Sequence, residues 1–227
     1  MPNWCYNTVT ITSDNKERLE EFNHVFSNGK DAVYRGDTKN NDIGYRFNAI
    51  VPVPPEVLAI GYSPTHTLDA KEEILQGLIK SIEKEHDLDT KNRLKEILLG
   101  ISLESIDPNN LTGYHWQSEN WGTKWDIGED CYVHFDPDDS LSMDFDTAWG
   151  PPLAFFEQAS EKYPDLTFEI SFIETGMGFA GRSAFRDGET IEKAEADSNS
   201  STFKEDLHRC GFNYEDFYDD EDEEENE

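Results

Sequence analysis

Cys131-Tyr132-Val133-His134-Phe135-Asp136-Pro137-Asp138-Asp139-Ser140-Leu141-Ser142-Met143-Asp144-Phe145-Asp146-Thr147 reads as two strands and a turn. Cys131, Val133 and Phe135 alternate with Tyr132, His134 and Asp136, the period of a strand with one buried face. Asp136-Pro137-Asp138-Asp139 carries the residues that close a tight turn. Leu141, Met143, Phe145 and Thr147 then alternate back, so the pair predicts an antiparallel hairpin. Downstream, Pro151 and Pro152 open a helix with Leu153, Phe156, Ala159 and Tyr163 inward. Residues 166–174 give a further strand, and a last one is expected around Gly181 to Phe185. Upstream, residues 4–12 alternate β-branched residues and predict a first strand. Ser13 or Asp14 then caps a helix with Leu19, Phe22, Val25 and Phe26 on one face. A short strand is expected from Tyr45 to Val51.

Strand, helix, strand, then strand, helix, strand is the order of a ferredoxin-like split βαβ sandwich, an α+β fold with an antiparallel sheet. Between its halves, Ile74, Leu75, Leu78, Ile79 and Ile82, then Leu94, Ile97, Leu98 and Ile101, recur at helical spacing. They predict a helical-hairpin insertion at about 67–104. The domain is expected to span 1–192. Residues 193–227 would hold a linker, a short helix at 203–210 and a disordered acidic tail.

Charge narrows the partners. The chain has 227 residues, with 19 basic and 49 acidic side chains and a net charge of −30. Residues 215–227 contribute ten acids, and the body without them still carries −20. Such an excess repels phosphate backbones and anionic lipid, so direct nucleic-acid binding is disfavoured. No apolar run approaches the ~20 residues that span a bilayer, and no secretory signal is visible at the start. Cys5, Cys131 and Cys210 are odd in number and far apart, as expected of reduced thiols in a cytoplasmic protein.

The densest chemistry lies between Tyr114 and Asp126. His115, Asn120, Trp121, Lys124, Trp125 and Asp126 fall there; the open end of the hairpin brings Trp149 to the same side, and Trp4 joins them if the first strand lies adjacent. Indoles offer flat faces and an N–H donor, and Lys124 could counter a phosphate or carboxylate. Trp121, Lys124, Trp125 and Trp149 are expected to share one concavity, with His115, Asn120, Asp126 and Trp4 as further members. The competing explanation is an aromatic cluster that only closes one end of the sandwich.

Other motifs yield less. Gly176-Met177-Gly178-Phe179-Ala180-Gly181 spells G-x-G-x-x-G, but a strand follows where a dinucleotide site needs a helix, so a hairpin turn is expected. Asp136, Asp138 and Asp139 lack the glycine and the closing glutamate of a calcium loop. His115, Cys131 and His134 would need to meet across strands to hold a metal. No metal and no cofactor is expected. Pro2, once Met1 is removed, would present a secondary amine able to act as a base or form an iminium. No other group near it completes an active site.

Three segments together resemble the Api-type, YubB-like family: Pro2-Asn3-Trp4-Cys5-Tyr6-Asn7, Glu119-Asn120-Trp121-Gly122-Thr123-Lys124-Trp125-Asp126, and Thr147-Ala148-Trp149-Gly150-Pro151-Pro152. The resemblance covers roughly residues 2–185 without the insertion. It implies a ferredoxin-like domain and a phage- or plasmid-borne origin, and it supplies no catalytic residues. The family pattern more often has Ser or Thr where this chain has Gly150.

The expected function is a binding protein of a phage or mobile element, acting in the host cytoplasm on a host component such as a defence system. Its contact surface would be the Trp-rich end and the acidic face. The alternatives are capture of a small nucleotide-like ligand between Trp121 and Trp125, mimicry of nucleic acid, and an enzyme using the Pro2 amine.

Overall fold

Alternation along Trp4–Thr12 (β1) buries Cys5, Val9 and Ile11 on one face and leaves the even-numbered residues on the other. The computed structural model describes residues 3–30, 44–62, 70–103, 105, 107–128 and 130–218. Lys16–Ser27 (α1) follows, with Asn15 rather than Ser13 or Asp14 as its cap: the Asn15 side chain accepts from Arg18 N–H. Two short helices come next, Phe47–Ile50 (α2) and Pro55–Ile60 (α3). Then come Ala70–Lys84 (α4), Leu88–Ser102 (α5) and Gly113–Asn120 (α6). The central hairpin is Cys131–Asp136 (β2) and Ser140–Ala148 (β3). Leu153–Lys162 (α7), Thr167–Glu174 (β4), Phe179–Arg186 (β5), Glu189–Asp197 (β6) and Phe203–Arg209 (α8) complete the chain.

The strands order as β2-β3-β1-β4-β5-β6, every neighbouring pair antiparallel. The first four make the ferredoxin-like sheet. Trp4 lies opposite Ala148 and Thr12 opposite Ser140 across β1 and β3. The main core forms where Leu19, Phe22 and Phe26 of α1 and Phe155, Phe156 and Ala159 of α7 meet the odd-numbered face of β1 and its partners from β3 and β4. Asn7 is also buried there: its amide donates to Cys5 O, Phe145 O and Thr147 Oγ1, tying β1 to β3.

The insertion is a hairpin of α4 and α5 with its own small core of Ile74, Leu78, Leu94 and Ile101. Its neck is closed by backbone hydrogen bonds from Gly113 to Gly61 and from Tyr114 to Tyr62. Residues 63–69 lie outside the described set, so the start near 67 is not among the placed residues.

Three expectations change. Tyr45 to Val51 is not a strand but contains α2, because the Asp126 carboxylate takes the N–H groups of Phe47 and Asn48 and starts a helical turn. The strand expected around Gly181 to Phe185 is β5, but it is not the last: β6 follows it through Asp187-Gly188, both at positive φ (52° and 74°) as a two-residue hairpin turn requires. The domain boundary at 192 therefore falls inside β6. Residues 193–197 belong to β6 rather than to a linker, and the short helix expected at 203–210 is α8. In α8 and the turn after it, Phe203, Leu207, Cys210 and Phe212 pack on Ile173, Ala180 and Ala196 as a second core. Gly176 to Gly178 form the turn between β4 and β5, where Glu174 accepts from the Gly176 and Met177 N–H groups. The acidic residues 219–227 and Pro2 lie outside the described residues.

Candidate binding site

The two Trp-Gly motifs interlock. Gly122 sits at φ 82°, and a Cβ there would stand 2.8 Å from Pro151 O and 3.1 Å from Leu153 N, so only glycine lets the segments meet. Thr123 Oγ1 donates to Ala148 O at 2.9 Å, and Phe155 N–H donates to Trp121 O at 3.3 Å. Gly150 has a negative φ, and a Cβ would meet only Gly122 O at 3.6 Å, so a Ser or Thr would fit. The departure from the family pattern at that position is therefore not a steric requirement.

This interlock separates the predicted site into a buried set and one that reaches the surface. Trp121 is fully buried, its N–H donating to Val51 O at 2.9 Å and its ring packed on Phe47 and Trp116. It has no face open to a ligand, so it does not share a concavity with the others, and no slot between Trp121 and Trp125 exists. Asp126 is buried too, accepting from the N–H groups of Phe47 at 2.6 Å and Asn48 at 3.2 Å. It caps α2 across a long sequence gap instead of facing a ligand. Asn120 ends α6: its amide donates to Trp116 O and its carbonyl accepts from Gln158. His115 pairs with Glu119 on the same helix at 3.0 Å.

The other set is Trp4 and Trp149, which are exposed, with Lys124 and Trp125 half-buried beside them. Lys124 Nζ lies 4.3 Å from the centre of the Trp125 ring and 5.1 Å from that of Trp149, a cation held against two indoles. Desolvation in this position lowers the Lys124 pKa. Trp4 abuts Trp125 with ring centroids 6.0 Å apart. Tyr62 steadies the loop by donating to Lys124 O at 3.2 Å, and burial pushes its phenol up to about 12, against a smaller opposing contribution from the Trp125 indole. Trp149 is 51% exposed although its φ is 76°, a left-handed conformation that bulky residues rarely adopt. Its N–H donates to Asn3 O at 2.9 Å, which pins the turn to the start of β1.

His115, Cys131 and His134 do not assemble. Cys131 and His134 stand three residues apart on β2 and so point to opposite faces. Burial pushes the Cys5 thiol up to about 12 and the Cys131 thiol to about 11, which removes thiolate chemistry from both at neutral pH. Two clefts lie away from the indoles: one of about 470 Å³ beside Phe172, Phe179, Glu195, Asp197 and Asp206, one of about 340 Å³ among Asp14, Asp138, Asp139 and Asp165. Among the described residues no helix is long and apolar enough to cross a membrane.

Sequence reading passed over Tyr6 and Tyr132, which share a sheet face with Trp4. The signal was available: Trp4 and Tyr6 have the same parity on β1, opposite to the buried Cys5 and Val9.

Comparison with known proteins gives three likenesses. Over 98 residues the chain is 26% identical to "Uncharacterized protein YubB" of Escherichia coli (strain K12), covering 41% of this chain and 68% of that protein. The crystal structure of a protein api92 from Yersinia pseudotuberculosis aligns over 88% of this chain and all of that one, at 13% identity and a TM-score of 0.46. Residues 120–225, which hold both Trp-Gly segments and every described strand except β1, match the family described as "Ferredoxin-like domain in Api92-like protein".

Proposed function

We propose that this chain is a non-enzymatic binding protein whose contact surface is the ring of Trp4, Lys124, Trp125 and Trp149, and whose partner is a protein. Trp149 carries the proposal. Its left-handed backbone costs on the order of 1–2 kcal/mol, and the indole so held is half in solvent, so the strain contributes little to the core. Exposed tryptophans are the residues from which interfaces draw most of their energy. The net charge of −30 works against nucleic acid and anionic lipid as partners. The motif resemblance supports an origin in a phage or plasmid, in which case the partner would be a host component and binding would interfere with a defence system.

The test is affinity capture from host cells with the full-length chain and with a Trp125→Ala/Trp149→Gly variant. A protein retained by the first should be lost by the second, its affinity weakened at least about a hundredfold, as expected when two hot-spot aromatics are removed. If both chains retain the same proteins equally, the ring is not the contact surface.

A further inference from the structure

We infer that the partner presents an arginine-rich extended segment, which lies across the uncovered half of the sheet and ends at the tryptophan ring. This deepens the binding proposal above and rests on it. Helices α1 and α7 cover one face of the sheet. On the other, Phe203, Leu207 and Phe212 cover the part made by Ile173, Ala180 and Ala196. The half formed by β2, β3 and the start of β1 carries no such layer among the described residues: Phe217 reaches its edge, packing on Tyr6 with ring centroids 6.5 Å apart, and Tyr132, His134 and Asp146 are exposed.

Strand parity fixes what that half offers. Trp4 and Tyr6 come from β1, Asp144 and Asp146 from β3, Tyr132 and His134 from β2, with Tyr6 opposite Asp146 and Tyr132 opposite Asp144. Tyr132 is 78% exposed and Trp4 46%. The three strands contain no lysine or arginine at all. Tyr6 and Thr8 both donate to the same oxygen of Asp144, Oδ1, at 3.1 and 2.9 Å, so Oδ2 keeps its lone pairs for an incoming donor. Burial, and after it the neighbouring Asp130 carboxylate, hold Asp146 above its ordinary range.

Carboxylates interleaved with aromatic faces are what a guanidinium takes: its planar fork bonds an acid while its face stacks on a ring. The molecule already shows the second half of that contact, in Lys124 against Trp125 and Trp149. A second copy of the chain would bring the same negative charge to the face, and so would nucleic acid. A cationic polypeptide is the occupant whose charge complements it.

The experiment uses the full-length chain and an octapeptide of alternating Arg and Thr, followed by tryptophan fluorescence and calorimetry. Binding is expected, stronger than that of the Lys-Thr peptide, and absent for Glu-Thr. Asp144→Asn/Asp146→Asn should weaken it about tenfold, the loss of two partly exposed charge pairs, and Tyr132→Ala should also weaken it. Glu83→Gln/Glu96→Gln, which removes the same charge from the exposed surface of the insertion, should leave it unchanged. No binding of the Arg-Thr peptide, or equal losses from both double variants, overturns the inference. If partner capture still depends on Trp125 and Trp149 in that case, the binding proposal stands without it.

Discussion

At the scale of single residues, Trp121 and Trp149 show what assigns an indole to a core or to a surface. Trp121 can be sealed because its N–H finds Val51 O, which removes the cost of burying that donor. Trp149 has no such place and is turned outward by a left-handed backbone. The same substitution class should therefore act with opposite signs. Trp121→Ala empties a packed site and should cost about 3–5 kcal/mol. Trp149→Gly relieves the positive φ while losing a half-exposed side chain, and should raise stability by up to about 1 kcal/mol. Urea denaturation of the two variants measures both, and a Trp149→Gly chain less stable than the parent would remove the claim of strain. The sequence groups these indoles because three fall between Trp116 and Trp125. It does not reveal that Gly122, at positive φ, turns the chain between them, so that Trp121 is sealed in the core while Trp125 stays half-buried against Lys124 and Trp4.

At the scale of elements, what is legible depends on whether the cause is local. The hairpin of β2 and β3, the helix α7 and the amphipathic pair α4 and α5 follow from periodicity that each segment carries itself. Helix α2 does not. Phe47, Asn48, Ala49 and Ile50 have no capping residue of their own, and the acceptor arrives from Asp126 on a distant loop. Residues Tyr45 to Val51, rich in β-formers, consequently look like a strand until the tertiary contact is known. Strand β6 was legible in principle through Asp187-Gly188, a strong hairpin signal, but the polar composition beyond Ile191 masks it: β6 is an edge strand with one face largely in water. The cap gives a direct prediction. Asp126→Ala strands buried N–H donors of α2 and should cost about 2–3 kcal/mol, whereas Asp126→Asn keeps an acceptor and should lose less. Thermal melts ordered parent, Asn, Ala would bear this out. Equal melting temperatures would show that α2 holds without its distant cap.

For the whole molecule, the question is how the acidic end relates to the folded body. Of the net −30, the ten acids of residues 215–227 supply a third, so a salt-dependent interaction could in principle belong to that end rather than to the sheet face. Cutting the chain separates these only if the cut spares the second core. Ending it after Ser200 deletes Phe203, Leu207, Cys210 and Phe212 and uncovers Ile173, Ala180 and Ala196. With each large buried side chain contributing roughly 1.5–3 kcal/mol, that loss rivals the roughly 5–15 kcal/mol of a whole domain. Ending it after Tyr218 keeps these contacts and removes only acids and Asn226. The Tyr218 truncation should melt within about 2 °C of the parent, since it leaves the contacts of the second core in place, and should retain the Arg-Thr peptide. The Ser200 truncation should lose several kcal/mol or fail to unfold cooperatively. Peptide binding that disappears in the stable Tyr218 truncation would move the site from the sheet face to the acidic end. Binding that survives there, but falls steeply between low and physiological salt, is the behaviour of carboxylates fixed on a folded surface and screened by ions.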